Sequence, residues 1–223
     1  MKNQKLTLFN KGNFKKIDHQ FMTEGLCVLQ DVTKVQQKYK KDDTDTFINE
    51  LRDSIAGYTL GFDLVNTEKH GFDCKLLVKD ESSKNGELYL EVKSASFCAK
   101  SWQATFNDTT LEKAEAFKDE KVYLALAVWK DASDLLFICY GQNEKIGDFL
   151  EKKVNAFKNG GKTVRSTQSI SLSTLVFKYK FKILAVNKNK EETLDLLKVK
   201  NIRFQSLTER NIISLNEFKG INN

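Results

Sequence analysis

Proline is absent from all 223 residues, and histidine occurs only at His19 and His70. A histidine-centred catalytic site therefore has almost nothing to draw on. The four cysteines, Cys27, Cys74, Cys98 and Cys139, are widely scattered, without the close pairs of a structural zinc site. They read as small buried apolar side chains in a reducing cytosol, so a cytoplasmic protein is expected. No apolar run approaches the roughly 18 residues that a membrane span needs. The start, MKNQKLTLFNKGNFKK, has neither an apolar h-region nor a small-residue cleavage site, so no secretory signal is expected. Arginine is scarce too: Arg52, Arg165, Arg203 and Arg210 stand against 32 lysines, the 36 basic residues less those four.

What is present is an ordinary globular balance, 40% hydrophobic and 30% charged. The length allows one sizeable core, and no repeat, low-complexity tract or Ser-rich linker marks a boundary. One domain over 1–223 is expected, with 142–223 as additions to its core. A net charge of +6 and a pI near 9.0 agree with a polyanionic partner.

The stretch HGFDCKLLVKDESSKNGELYLEVKSAS, residues 70–96, carries the most information. It reads as two strands joined by a turn at Asn85-Gly86, with Asp73 opening the first strand. In the second, Leu88, Leu90 and Val92 alternate with Glu87, Tyr89, Glu91 and Lys93. Period two puts Glu91 and Lys93 on one face. An antiparallel return brings them back beside Asp73, so two carboxylates and a lysine converge at one end of a sheet. That set suits a hard divalent cation and an activated water.

At these residues the chain resembles the PD-(D/E)xK nucleases, and among them the Type II restriction endonucleases. Asp73 stands for the family's acidic residue and Glu91-Val92-Lys93 for its ExK element; Phe72 replaces the proline of the motif. The triplet alone says little, because it also occurs as Asp73-Cys74-Lys75, Asp119-Glu120-Lys121, Glu151-Lys152-Lys153 and Glu217-Phe218-Lys219. Only Glu91 closes an alternating apolar strand that follows an Asp-initiated one. A rival register pairs Asp63 with Asp73-Cys74-Lys75, and the plainest alternative makes Glu91 and Lys93 the solvated face of an edge strand. The resemblance implies an α/β fold with a mixed central β-sheet flanked by helices, as in a restriction-endonuclease-like core. It implies Mg2+ held by Asp73, Glu91 and the carbonyl of Val92, with Lys93 near the attacking water. Many relatives also bring a glutamate to the site from a helix before the motif strands, and Glu50 is the candidate for a fourth catalytic residue.

The function expected is a Mg2+-dependent, site-specific endonuclease on double-stranded DNA, acting as a homodimer on symmetric sites. Alternatives are a structure-specific repair nuclease or resolvase, and a non-catalytic DNA-binding module. With few arginines for guanine edges, phosphate contacts fall to lysines. Base contacts are expected from the polar stretch Lys162, Arg165, Ser166, Thr167, Gln168 and Ser169; Gln103, after the ExK element, is a further DNA-binding candidate that either approaches the active site or ends a loop. Trp102 and Trp129 read as core.

Around the motif, KLTLF and GLCVLQDV within residues 5–32 read as strands. Helical spacing of Phe47, Ile48, Leu51 and Ile55 predicts a helix over 43–58. Thr109, with Glu112 three residues on, predicts a capped helix to about Asp119. Strands are expected at 121–130, 134–141 and 182–186, a helix over 143–158, and two short helices within 190–218.

Overall fold

The apolar run at 121–130 sits at the centre of the sheet, and its alternation divides the molecule into two layers. The computed structural model describes residues 12–14, 17–39, 46–67, 71–79, 85–107, 109–159 and 167–221. The strands are β1 (Gly12–Phe14), β2 (Asp63–Thr67), β3 (Cys74–Lys79), β4 (Asn85–Ser96), β5 (Gln103–Phe106), β6 (Val122–Trp129), β7 (Leu135–Gly141), β8 (Gln168–Ser171), β9 (Lys182–Ala185) and β10 (Ile212–Ser214). The helices are α1 (His19–Tyr39), α2 (Thr46–Thr59), α3 (Leu111–Ala116), α4 (Lys145–Asn159), α5 (Leu172–Phe177) and α6 (Lys190–Lys200).

Eight strands form one sheet in the order β1-β2-β3-β4-β6-β7-β9-β10, and β5 and β8 form a separate two-stranded ribbon. The large sheet is mixed. β4 runs parallel to β6 and β9 parallel to β10, while the other neighbours are antiparallel. The α/β fold with a mixed sheet flanked by helices is therefore the one expected from the sequence.

On β6, Leu124, Leu126 and Val128 face one core with residues of α3–α6, whereas Ala125, Ala127 and Trp129 face another with Leu29 of α1 and Ile48, Leu51, Ile55 and Ala56 of α2. A strand covered on both faces has no reason to carry polar positions, which explains its unbroken apolar sequence. The N-terminal helices thus pack on one face and the C-terminal ones on the other.

Several local expectations are corrected. GLCVLQDV lies inside α1 rather than in a strand; Met22, Gly25, Leu26 and Leu29 recur at helical spacing and turn inward. Asn85 and Gly86 already belong to β4, paired with Lys79 and Val78. The cap of α3 is Thr110, which accepts from the Lys113 amide, so the helix starts one residue later than Thr109 implies and ends at Ala116. Residues 190–218 form α6, two 3-10 turns and β10 in place of two short helices. Cys74 and Cys139 are buried, but Cys27 and Cys98 are exposed. Trp102 and Trp129 are core, as expected. KLTLF, His70, Lys162, Arg165 and Ser166 lie outside the described residues. No helix among the described residues is long and apolar enough to cross a membrane.

The approach of α2 to β3 depends on Gly57, where a Cβ would collide with Cys74 Sγ and lie 3.2 Å from its Cβ. Gly57→Ala overpacks this contact and should cost roughly 1–3 kcal/mol. Thermal unfolding should show it as a midpoint lower by several degrees, at about 2–4 °C per kcal/mol for a chain of this size. An unchanged midpoint would contradict the close approach.

Candidate active site

The site forms where β3 stops and β4 continues. Pairing of the two strands ends at Cys74 opposite Leu90, so the next step brings Asp73 opposite Glu91. Beyond that point β4 keeps β6 as its neighbour on one side only, and the other edge opens. Asp73 caps this edge: its Oδ2 accepts the Val92 amide at 2.7 Å. A residue's N–H and C=O leave a strand on the same side, so the Val92 carbonyl faces the same opening.

Alternation on β4 turns Leu90 and Val92 into the α1–α2 layer and Tyr89, Glu91 and Lys93 toward the other. Glu91 is 2% exposed. Its Oε1 meets Lys93 Nζ at 2.6 Å and Lys113 Nζ at 2.5 Å. Burial works against the Glu91 charge, but Lys113 and Lys93 outweigh it and hold the carboxyl down at about 2. Burial likewise opposes the charge on Lys93, yet Glu91 and Asp73 keep its pKa above the ordinary lysine value. The Lys93 ammonium also lies 5.9 Å from the Phe106 ring centre.

Two further residues complete the cluster. Asp53 of α2 approaches from the opposite layer, its Oδ1 accepting Ser94 Oγ at 3.0 Å. Burial, and then the neighbouring Asp73, push the Asp53 carboxyl well above the ordinary range. Burial and the Glu91 charge raise Asp73 to about 6. Lys113 arrives on α3, which Ala114, Ala116 and Phe117 anchor in the core. Neither Asp53 nor Lys113 was expected from sequence. Asp53 was within reach of that reasoning, lying one helical turn beyond Glu50 on the predicted helix. Lys113 carried no local signal.

The placement of the other expected residues is uneven. Glu50 lies on α2, but its side chain falls outside the described set. Gln103 begins β5 rather than ending a loop and pairs with Ser171; Thr105 pairs with Ser169, and Gln168 with Phe106. Thr167 donates to Asn107 Oδ1 at 3.5 Å. The rival register does bring Asp63 opposite Lys75, but the side chains are engaged elsewhere: Asp63 Oδ1 accepts the Ile17 amide, Lys75 is held by Glu87 at 2.5 Å, and Asp73 turns to the Val92 amide. Glu87 also accepts the Tyr89 hydroxyl, so it is engaged away from the site. Arg52 donates to the carbonyls of Asp131 and Ala132 and stacks over Trp129, a structural employment.

A divalent cation can be tested against these groups. Glu91 Oε2 is buried with no hydrogen-bond partner, and Asp73 beside it is a carboxyl raised by burial and by the Glu91 charge. Among the described residues no group of three His, Cys, Asp or Glu side chains is placed to hold a metal ion, so any cation here rests on two carboxylates. Mg2+ keeps several waters and is commonly held by one or two carboxylates plus substrate phosphate, so the pair fits it.

Stability should report the same electrostatics. Glu91, lowered from 4.5 to about 2, contributes stability that is lost as pH falls through that interval. Asp73, raised from 3.8 to about 6, binds its proton more tightly folded than unfolded, so its effect is to lower stability as pH rises across that window. Asp73→Asn keeps the acceptor for Val92 but removes the charge. In urea titrations it should gain stability over the wild type at pH 7 and lose most of that gain by pH 4. An equal difference at both values would contradict the repulsion. No protein-family model, curated protein or solved structure matches the chain, so the chemistry of the site rests on its geometry.

Proposed function

We propose that the chain is a Mg2+-dependent endonuclease that hydrolyses phosphodiester bonds at specific sites in double-stranded DNA, in the manner of the Type II restriction enzymes it resembles. The observation that carries the reading is the Glu91 carboxylate, buried with one oxygen held by two lysines and the other without a partner, directly beside Asp73. Relatives place their acidic residue and ExK element on adjacent strands of a mixed sheet flanked by helices, and Asp73 and Glu91 occupy such positions.

Asp73 and Glu91 Oε2 would hold the cation, with the Val92 carbonyl as a further oxygen on the same edge. When bound there, Mg2+ supplies Lewis-acid polarisation of a phosphate oxygen and lowers the pKa of a water. Lys93 stays protonated, so its part is electrostatic: it orients the water and stabilises charge that builds on the phosphate. Lys113 holds Glu91 in place from α3 and adds a second cation facing the phosphate. Asp53, its pKa raised, takes the role relatives give to a helix glutamate and accepts the proton that the water releases. Charges close on one cation: three carboxylates, two lysines, one Mg2+ and one phosphodiester sum to zero when all are ionised. A homodimer follows from the symmetry that cutting both strands of a palindromic site requires.

The test is digestion of supercoiled plasmid in Mg2+. The wild type should give discrete fragments; cutting of branched junctions alone, or no cutting, would favour the alternatives. Asp73→Asn, Glu91→Gln and Lys93→Ala should each lower the rate by about 10²–10³-fold or more, the scale of losing one preorganised electrostatic partner. Duplex binding without metal should survive in Lys93→Ala. Glu87→Gln should cut near the wild-type rate, since Glu87 is tied to Lys75 and Tyr89.

The helix residue gives an independent check. Asp53→Asn should lose about 10²–10⁴-fold in rate, the range of an acid–base contribution. Glu50→Gln, assayed beside it, should lose far less. The reverse order would return the helix acid to Glu50.

A further inference from the structure

We infer that the β5–β8 ribbon is the element that reads base pairs, by entering the major groove of the DNA whose backbone the candidate site addresses; this rests on the proposed nuclease reading. The ribbon has two unlike faces. Ala104, Phe106 and Ile170 point into the core and are at most 2% exposed. On the outward face Gln103 and Ser169 are exposed and Thr105 is half-buried, with the Thr105 and Ser169 hydroxyls 3.1 Å apart. Asn107 and Thr167 continue this face past the paired residues, both exposed.

Gln103, Thr105, Asn107, Thr167 and Ser169 are all uncharged hydrogen-bonding side chains, in a chain that is 30% charged. The ribbon has no third strand among the described residues. Among the described residues the outward face of this ribbon carries no charged side chain. The partner's chemistry follows from the side chains. Phosphates attract lysine and arginine, whereas base edges present paired donors and acceptors that neutral amides and hydroxyls match. The major groove, about 12 Å wide, admits a two-stranded ribbon. Gln103 is the residue suited to adenine, through its N6 and N7, and the hydroxyls adapt to either base.

The ribbon is also tied to the catalytic end. Phe106 lies beneath the Lys93 ammonium at 5.9 Å. The Phe106 carbonyl accepts Thr109 Oγ1, and Thr110 then caps the helix that carries Lys113. At the other end, the Leu172 amide donates to the Trp102 carbonyl at 2.8 Å, and the Trp102 indole donates to Phe97. Docking of the outward face would therefore fix where the scissile phosphate falls.

The experiment digests a library of random-sequence duplexes with the full chain in Mg2+ and sequences the ends. The wild type should leave ends that share one recognition sequence. Gln103→Ala should still produce ends, with discrimination at one A·T base pair relaxed by roughly 5- to 150-fold, the span of one bidentate contact. Thr105→Ala with Ser169→Ala should relax an adjacent pair. An unchanged preference in both variants, a loss that is uniform over all sequences, or a change in sedimenting mass without a change in preference would each overturn the assignment. Absence of cutting by the wild type would defeat the nuclease reading itself, whereas wild-type cutting with unaltered preference in the variants defeats only the ribbon.

Discussion

A carboxylate set in the middle of a paired strand, with almost no contact with solvent, stays ionised only if cations meet it there. An isolated buried charge costs several kcal/mol even after the surroundings relax. Glu91 is in this position, and Lys93 and Lys113 meet the same oxygen at 2.6 and 2.5 Å. Much of the neighbouring architecture serves to bring the second lysine there. α3 is only six residues long, so it is placed by its Thr110 cap, by buried Ala114, Ala116 and Phe117, and by the approach of α4. That approach needs Gly147, where a Cβ would come within 2.5 Å of the Ala114 carbonyl oxygen. Losing either lysine would leave the other facing a buried carboxylate alone.

The second constraint is the unequal length of β3 and β4. β3 has six residues and β4 has twelve, so their shared ladder runs out at Asp73. The opened edge lies between the two layers, and each layer contributes to it: Asp53 comes from α2 on one face and Lys113 from α3 on the other. Gly57 lets α2 lie against β3 closely enough for Asp53 to reach Ser94. Burial, and after it like charge among Asp53, Asp73 and Glu91, then raises two of the three carboxyls. The repulsion is a cost that the folded chain carries at this edge.

Legibility in the sequence followed the range of the interactions. The motif strands were readable because alternation and sequence proximity determine which side chains share a face; Glu91, Lys93 and Asp73 needed nothing more. The sandwich was readable from the unbroken run of β6. α1 was missed in part because Gly25-Leu26-Cys27-Val28-Leu29 is dense in apolar side chains at its centre, which hides the spacing that puts Leu29 inward and leaves Val28 46% exposed. Asp53 was not singled out, since helical periodicity fixes a face but not which turn meets the site, and the Glu50 side chain lies outside the described residues. Lys113 and the pairing of Gln103 with Ser171 were beyond reach, because they depend on contacts across 22 and 68 residues that no local pattern encodes.

The central claim is that the Asp73–Glu91 pair receives a divalent cation. Calorimetric titration of Mn2+, a Mg2+ surrogate, into the full chain in the presence of a DNA duplex tests it most directly. The account predicts saturable binding that disappears in both Asp73→Asn and Glu91→Gln while the Glu87→Gln protein binds as the wild type does. Undiminished Mn2+ uptake in the first two variants would contradict it.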